Sequence, residues 1–303
     1  AIFWEPGTGK TRLCLEAFIQ LRIKTPTLRL LVICPKSTIE AVWGEEIQKA
    51  TTLTWTTLQR LNPKADCWIG NFESVIRPAM QHRLDAVGLW QVPVLLVVDE
   101  SSRCKDPRSL TTKTLLAFAT RAHARICCSG TPTPNSLAEL WGQIRIINPD
   151  IFHKSYFAWR REYFFLGRNG RILSEPPPSR QAMQQLFQSG WKYGITTEKR
   201  DQLLARIAPI TSWIRKSDCL SLPEKLTTIR HVTLSIEEFK AYESMRRQLV
   251  VEFKNEVITA EIALTKLMRL RQLASGFLYG DTTHRIGASR LHVLLETLDE
   301  LGE

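Results

Sequence analysis

Two short stretches carry residue types that could do chemistry together. The first is Glu5-Pro6-Gly7-Thr8-Gly9-Lys10-Thr11. Glycines two apart let the backbone curl so that successive N–H groups point at one anion. A helix opening at the Lys-Thr pair would add its unpaired N–H groups and the positive end of its dipole. Lys10 would then reach the β- and γ-phosphates of a nucleotide, and the Thr11 hydroxyl would ligate Mg²⁺. The strict phosphate-loop pattern asks for glycine where this chain has Trp4, so a glycine-rich turn before an ordinary helix is the competing reading. The second stretch is Asp99-Glu100, which follows the apolar run Val92 to Val98. In a phosphate-loop protein, an acidic residue at the tip of a buried strand usually holds Mg²⁺. Mg²⁺ favours one or two carboxylates with phosphate oxygens and water, a set that Asp99, Thr11 and a nucleotide would supply. Glu100 would orient or deprotonate the attacking water. An isolated Asp-Glu before Ser101-Ser102 would be a solvated turn; the strand before it and the loop upstream favour the chemical reading.

These residues need a scaffold that brings them to one edge. After Lys10, Leu13, Ala17 and Leu21 recur every four residues, as do Cys14 and Phe18, which predicts a helix. Leu28 to Cys34 is a near-continuous apolar run ended by Pro35, the mark of a strand buried on both faces. A helical stretch with Ile39, Val42, Trp43 and Ile47 follows Pro35-Lys36-Ser37. Leu53 to Leu58, Cys67 to Ile69, Val92 to Val98 and Arg125 to Ser129 are further strand candidates. Strands alternating with helices predict an α/β fold with a doubly wound parallel sheet. Ligands of such sheets bind outside the carboxyl ends of the strands. Pro35-Lys36-Ser37, Asp99-Glu100 and Ser129-Gly130-Thr131 all fall at such ends.

The chain has 303 residues, room for about two domains with proper cores. Its 44% hydrophobic and 23% charged residues are those of a soluble globular protein. No apolar run approaches membrane-spanning length and no signal peptide is visible, so no membrane role and an intracellular location are expected. The seven cysteines lack a C-x-x-C pair, which suits reduced buried thiols. The six histidines have no ligand spacing, so a structural metal is not expected. The net charge of +11 is uneven. Residues 151–232 hold 14 Lys/Arg against 6 Asp/Glu, whereas residues 233–303 hold 9 against 11. A segment that basic is either a solvated surface or a phosphate-binding face.

The middle of the chain breaks the alternation. Tyr156, Phe157, Trp159 and Tyr163 are interleaved with Arg160 and Arg161. Such a mixture can stack on bases and pair with phosphates, or can pack a helix on its apolar side while showing a basic one. Gly167 to Arg171 predicts a loop tip, and Pro176-Pro177-Pro178 a stiff connector. Ser235-Ile236-Glu237-Glu238 is a capping box opening a helix through Phe239, Tyr242, Met245 and Leu249. Glu261 to Ser275 predicts another, with Leu264, Leu267 and Met268 on its apolar side. Leu291 to Leu301 is a last helical stretch.

With these segments in order, the chain resembles the SWI/SNF-like branch of helicase superfamily 2, nucleic-acid-dependent ATPases with two RecA-like lobes. Glu5 to Thr11 matches that family's motif I. Pro35-Lys36-Ser37 with Trp43 and Glu45/Glu46 resembles motif Ia, and Asn71-Phe72-Glu73 the short segment after it. Asp99 to Asp106 is similar to motif II. Ser129-Gly130-Thr131-Pro132-Thr133-Pro134-Asn135-Ser136 with Glu139-Leu140-Trp141 is similar to motif III, the most specific match. Arg215-Lys216, Leu222-Pro223 and Leu270-Arg271-Gln272-Leu273 resemble the entry to the second lobe. The resemblance implies a RecA-like phosphate-loop sheet with helices on both faces over residues 1–150. A basic helical insertion over 151–215 and the beginning of a second lobe over 216–303 would follow.

For function, the resemblance implies an ATP-driven translocase on double-stranded DNA that uses ATP and Mg²⁺. Glu5, Pro6, Gly7, Thr8, Gly9, Lys10 and Thr11 would bind nucleotide, and Lys10 and Glu100 would be catalytic. Thr11 and Asp99 would hold the metal, and Ser129, Gly130 and Thr131 would couple nucleotide state to DNA. Lys36, Ser37, Asn71, Arg160 and Arg161 would face nucleic acid. Members of the branch mostly track along duplex DNA without opening it. Ser102 stands where the family usually has His, which alters whatever coupling that imidazole provides. The family's glutamine motif and its arginine fingers are not in this sequence, so a fragment is expected. Losing an arginine finger costs roughly 10³–10⁵ in rate, so nucleotide binding with poor hydrolysis is the expected behaviour. Two other classes stay open: an ATP-gated DNA- or protein-binding module without motor activity, and an unrelated phosphate-loop enzyme acting on a small molecule.

Overall fold

The computed structural model describes residues 1–166, 172, 194–219, 227–255, 260–279 and 283–302. The loop tip and proline connector predicted between 167 and 178, and Leu222-Pro223, lie outside the described residues. The chain divides into two compact units, Ala1–Leu222 and Pro223–Glu303.

The first unit is built on a parallel sheet. Its strands are β2 (Arg29–Cys34), β3 (Trp55–Thr57), β4 (Cys67–Asn71), β5 (Val94–Val98) and β6 (Ala124–Cys127), in the spatial order β3-β4-β2-β5-β6. All the expected strands exist: those expected at 28–34, 53–58 and 92–98 are shorter than read, the one at Cys67–Ile69 extends to Asn71, and the last runs Ala124–Cys127 rather than Arg125–Ser129. The two central strands are buried along their length, and alternate side chains go to opposite faces. Leu31, Ile33, Val94, Leu96 and Val98 enter one core with Phe72, Leu84, Leu115 and Phe118. Leu30, Val32, Cys34, Leu95 and Val97 enter the other with Cys14, Leu15, Phe18, Trp43 and Ile47. Helix α1 (Lys10–Lys24), a π-helical turn (Ile39–Gly44) and α2 (Glu45–Ala50) supply the second face. The first is covered by α3 (Phe72–Val75), α4 (Pro78–Ala86) and α5 (Leu110–Arg121).

The buried stripe of α1 differs from the one its periodicity suggests. Cys14, Leu15 and Phe18 are buried, whereas Leu13 is 37% exposed and Ala17 and Leu21 are only half-buried. Leu15 completes the Cys14/Phe18 stripe, and the 13/17/21 row lies beside it. Likewise Val42 is exposed while its neighbours Ile39, Trp43 and Ile47 are buried.

Two short strands of this unit have no counterpart in the sequence reading. β1 (Ile2–Trp4) pairs in parallel with β7 (Ser212–Ile214). It also meets the chain just past β6 through an isolated Ile2–Cys128 bridge, with Ser129 N–H donating to the Ile2 carbonyl at 3.1 Å. β7 therefore returns to the strand that precedes the phosphate loop. Between them lie α6 (Leu140–Ile147), α7 (Tyr156–Tyr163) and α8 (Thr197–Ile207). These share a third core of Phe3, Trp141, Phe152, Trp159, Tyr163, Leu203 and Ile207. The described residues of the stretch read as an insertion thus pack into the first unit, and the division between units falls after Leu222.

The short α9 (Lys216–Cys219) closes the first unit; the second contains α10 (Ile236–Asn255), α11 (Ala260–Ala274), α12 (Ser289–Leu301) and a hairpin of β8 (Phe277–Tyr279) and β9 (Thr283–Arg285). The capping box forms: Ser235 N–H donates to Glu238 Oε2 at 2.8 Å, and Glu238 N–H to Ser235 Oγ at 3.2 Å. The same carboxylate accepts from Ser289, tying the start of α10 to that of α12. On α11, Leu273 is buried, but Leu267 and Met268 are exposed, contrary to the apolar side assigned to them.

Candidate functional site

Gly7 and Gly9 adopt φ of +83° and +86°, a region in which a side chain is strained, and the loop 5–9 curls between them. Gly9 caps α1, whose first residues are Lys10 and Thr11. Thr8 Oγ1 donates to the Glu5 carbonyl at 2.6 Å, pinning the curl. Lys10 Nζ donates to the carbonyls of Trp4 and Glu5 at 2.9 and 3.1 Å, so the ammonium lies folded against the base of the loop. Pro6, Gly7 and Gly9 are exposed, and Glu5, Thr8 and Thr11 half-buried. The loop is accessible to an anion.

At the end of β5, Asp99 is fixed from three sides. Its N–H donates to the Ile33 carbonyl at 2.8 Å, Oδ1 accepts from Glu100 N–H at 3.0 Å, and Oδ2 accepts from the buried Trp43 indole at 3.0 Å. Glu100 has φ +51°, the only positive value among the described non-glycine residues. Strain of this kind costs of order 1–3 kcal/mol and persists where surrounding structure over-determines it. Burial raises the Glu100 pKa above the ordinary carboxylate range, and the nearby Asp99 charge adds to that. Lys10 and the Ser129 hydroxyl act in the opposite direction. The loop lysine, the strand-end carboxylates and Ser129 therefore share one electrostatic neighbourhood.

Ser129, Gly130 and Thr131 lie beside both. Ser129 is buried and its Oγ accepts from Thr131 N–H at 3.2 Å. Gly130 packs on the phosphate loop: a Cβ there would lie 2.8 Å from Pro6 Cδ. A buried polar chain, absent from the sequence reading, links this segment to the acidic one. Ser101 Oγ donates to Gln143 Oε1 at 2.8 Å, and Gln143 Nε2 donates to the carbonyls of Pro132 and Glu139 at 2.7 and 3.0 Å. Both Ser101 and Gln143 are fully buried. Only the chemistry of an amide at 143, with donor and acceptor on opposite sides, could have hinted at it.

The expected nucleic-acid residues divide. Lys36 and Ser37 are exposed and border a groove of about 580 Å³ with Thr57, Gln59 and Arg60 at the carboxyl ends of β2 and β3. Arg161 is exposed on α7. Arg160 instead lies over the rings of Tyr156 and Phe157, 5.2 and 5.8 Å from their centroids. Asn71 is buried, and its Oδ1 caps α3 by accepting from Ser74 N–H at 3.0 Å. The aromatics of α7 divide too, with Trp159 and Tyr163 in the core and Phe157 60% exposed.

Among the described residues no group of three or more His, Cys, Asp or Glu could hold a metal ion by itself. Thr11 and Asp99 are oxygen donors of the type that a hard cation carrying phosphate oxygens and water would take. All seven cysteines are free, six of them buried. Burial pushes the Cys34, Cys67 and Cys127 thiols up to about 12, which makes them inert. No described helix is long and apolar enough to cross a membrane.

The family model of the SNF2-related domain matches residues 2–275. The chain belongs to that family. Protein p41 of Acyrthosiphon pisum secondary endosymbiont phage 1 is 23% identical over 98% of this chain and 65% of its own length. The ISWI chromatin-remodeling complex ATPase ISW2 of Saccharomyces cerevisiae is 31% identical over 50% of this chain and 14% of its own. The chain thus spans less than two thirds of these relatives. The Sulfolobus solfataricus SWI2/SNF2 ATPase core in complex with dsDNA superposes with a TM-score of 0.54 at 20% identity, covering 99% of this chain and 60% of that one. The same organism's SWI2/SNF2 ATPase core domain gives 0.52 at 21%, covering 91% and 52%. At such identities the likeness is one of fold, and the fold of this SNF2-related chain is RecA-like.

Proposed function

We propose that this SNF2-related chain is the ATP-hydrolysing part of a motor that moves on or remodels double-stranded DNA. The observation that carries the reading is the convergence of Lys10, Asp99, Glu100 and Ser129 at one sheet edge beside two left-handed glycines. Bound MgATP would supply the phosphoanhydride to be cleaved. The free loop amides of Gly7, Thr8 and Gly9, with Lys10, would bind its phosphates, and Thr11 with Asp99 would hold Mg²⁺. Trp43 keeps the Asp99 carboxylate aimed. Glu100 takes a proton from the attacking water; its raised pKa makes it a stronger base than an ordinary carboxylate. Through Pro6, Gly130 registers the state of the loop, and the Ser101–Gln143 chain carries it to residues 132–139.

Duplex DNA as partner is supported by the DNA-bound SWI2/SNF2 neighbour and by the basic segment 151–232. Lys36, Ser37 and Arg161 are the exposed contacts proposed for its backbone. The test is displacement of a third strand from a duplex by the intact protein. Displacement that requires ATP and fails with Lys10→Ala supports a motor. ATP turnover with no displacement would leave an ATP-gated binding module instead.

A further inference from the structure

We infer that Lys216 is a second phosphate-binding cation of the loop that Lys10 closes. The inference rests on the nucleotide reading above and assigns that site a residue from the far end of the first unit.

β7 delivers this residue to the loop. Glu5 N–H donates to the Ile214 carbonyl at 3.0 Å, continuing the β1–β7 ladder by one bond. The Glu5 carboxylate then turns back, and its Oε2 accepts from the backbone N–H of Lys216 at 2.8 Å. With its backbone held there, the half-buried Lys216 side chain runs across the loop. A Cβ built on Gly7 would lie 3.6 Å from Lys216 Cε and 3.8 Å from Nζ. Nearby carboxylates are engaged elsewhere. Glu5 takes the backbone amide, and Asp218 takes Arg215 N–H and the Ser217 hydroxyl. Among the described residues the Lys216 ammonium makes no ion pair.

Two ammonium groups thus border one concave run of backbone, Lys10 bonded to its carbonyls and Lys216 lying along Gly7. Like charges gathered beside outward-pointing amides are unfavourable until an anion joins them, and a polyanion reverses the sign of the interaction. A lysine kept only for solubility would extend into water, where its rotamer entropy is retained. The geometry also gives a role to Glu5 that no phosphate-loop pattern requires: it binds no ligand itself and holds Lys216 in place.

Equilibrium binding of MgADP and MgATPγS to the protein, Lys216→Met and Lys216→Arg tests this. Neither substitution touches the backbone N–H that Glu5 accepts, so thermal unfolding should be unchanged. Losing a charge-assisted contact predicts about tenfold weaker MgATPγS binding by Lys216→Met, with a shallower dependence on salt. Lys216→Arg should keep most of the affinity, because the charge remains. Equal affinity and equal salt dependence in Lys216→Met and the unaltered protein would overturn the inference while leaving the nucleotide reading intact. Failure of the unaltered protein to bind either nucleotide would overturn both.

Discussion

Glu100 sits in a backbone conformation that glutamate avoids, in a half-buried place that raises its pKa, one residue from the proposed metal ligand. If it is the base, turnover depends on its deprotonated form. Activity should then fall as pH drops through a pKa above the ordinary glutamate value, giving an acid limb at unusually high pH in the pH–rate profile. Ser129→Ala removes an interaction that lowers this pKa, so the limb should move further up. A limb at the ordinary glutamate position that Ser129→Ala does not move would remove Glu100 from the role. The Ser101–Gln143 pair makes a separate prediction. Gln143→Leu leaves the buried Ser101 hydroxyl and the buried Pro132 carbonyl short of a partner, at about 1–3 kcal/mol for each group left unsatisfied. Adding Ser101→Ala should recover part of that loss in chemical denaturation, and purely additive losses would show the two are not coupled. At this scale the sequence was informative where residues cluster locally. Gly7, Gly9, Lys10 and Thr11 are contiguous, and Asp99-Glu100 follows its strand directly. The contacts of Trp43, Gln143 and Lys216 were not legible because their partners lie 56, 42 and 211 residues away.

The elements position the site through close approach. Gly142 on α6 lies so near the 3₁₀ turn Ser101–Cys104 that a Cβ would come within 2.1 Å of the Cys104 carbonyl oxygen. Backbone cannot yield as a side chain tip does, so Gly142→Ala should destabilise by about 1–3 kcal/mol and shift residues 101–104. Thermal unfolding reads the first and loss of turnover the second; unchanged values for both would show that α6 has slack. Buried strands such as β2 and β5 were legible as apolar runs, since both faces of a central parallel strand meet helices. β1 and β7 were not, because three-residue strands carry no periodicity and their pairing spans the chain. The stripe of α1 was misjudged because Leu13 and Leu15 offer two overlapping apolar rows, and only the packed sheet selects between them.

At the scale of the molecule, the boundary after Leu222 follows from β7, since a strand paired to β1 cannot belong to the next unit. Of the basic balance of residues 151–232, Arg160 and Arg161 on α7 and Lys199, Arg200 and Arg206 on α8 lie on helices that share the first unit's third core. That charge was legible as composition, while the burial of Trp159 and the stacking of Arg160 were not. The proposed DNA-dependent motor predicts that duplex DNA binds through its phosphates, with affinity falling steeply as salt rises. The most direct measurement is ATP turnover by the intact protein with and without duplex DNA, alongside Glu100→Gln. Strong stimulation by DNA, reduced by about 10²–10⁴ in Glu100→Gln, is the predicted result. Turnover that is indifferent to DNA, or a Glu100→Gln variant as fast as the unaltered protein, would contradict it.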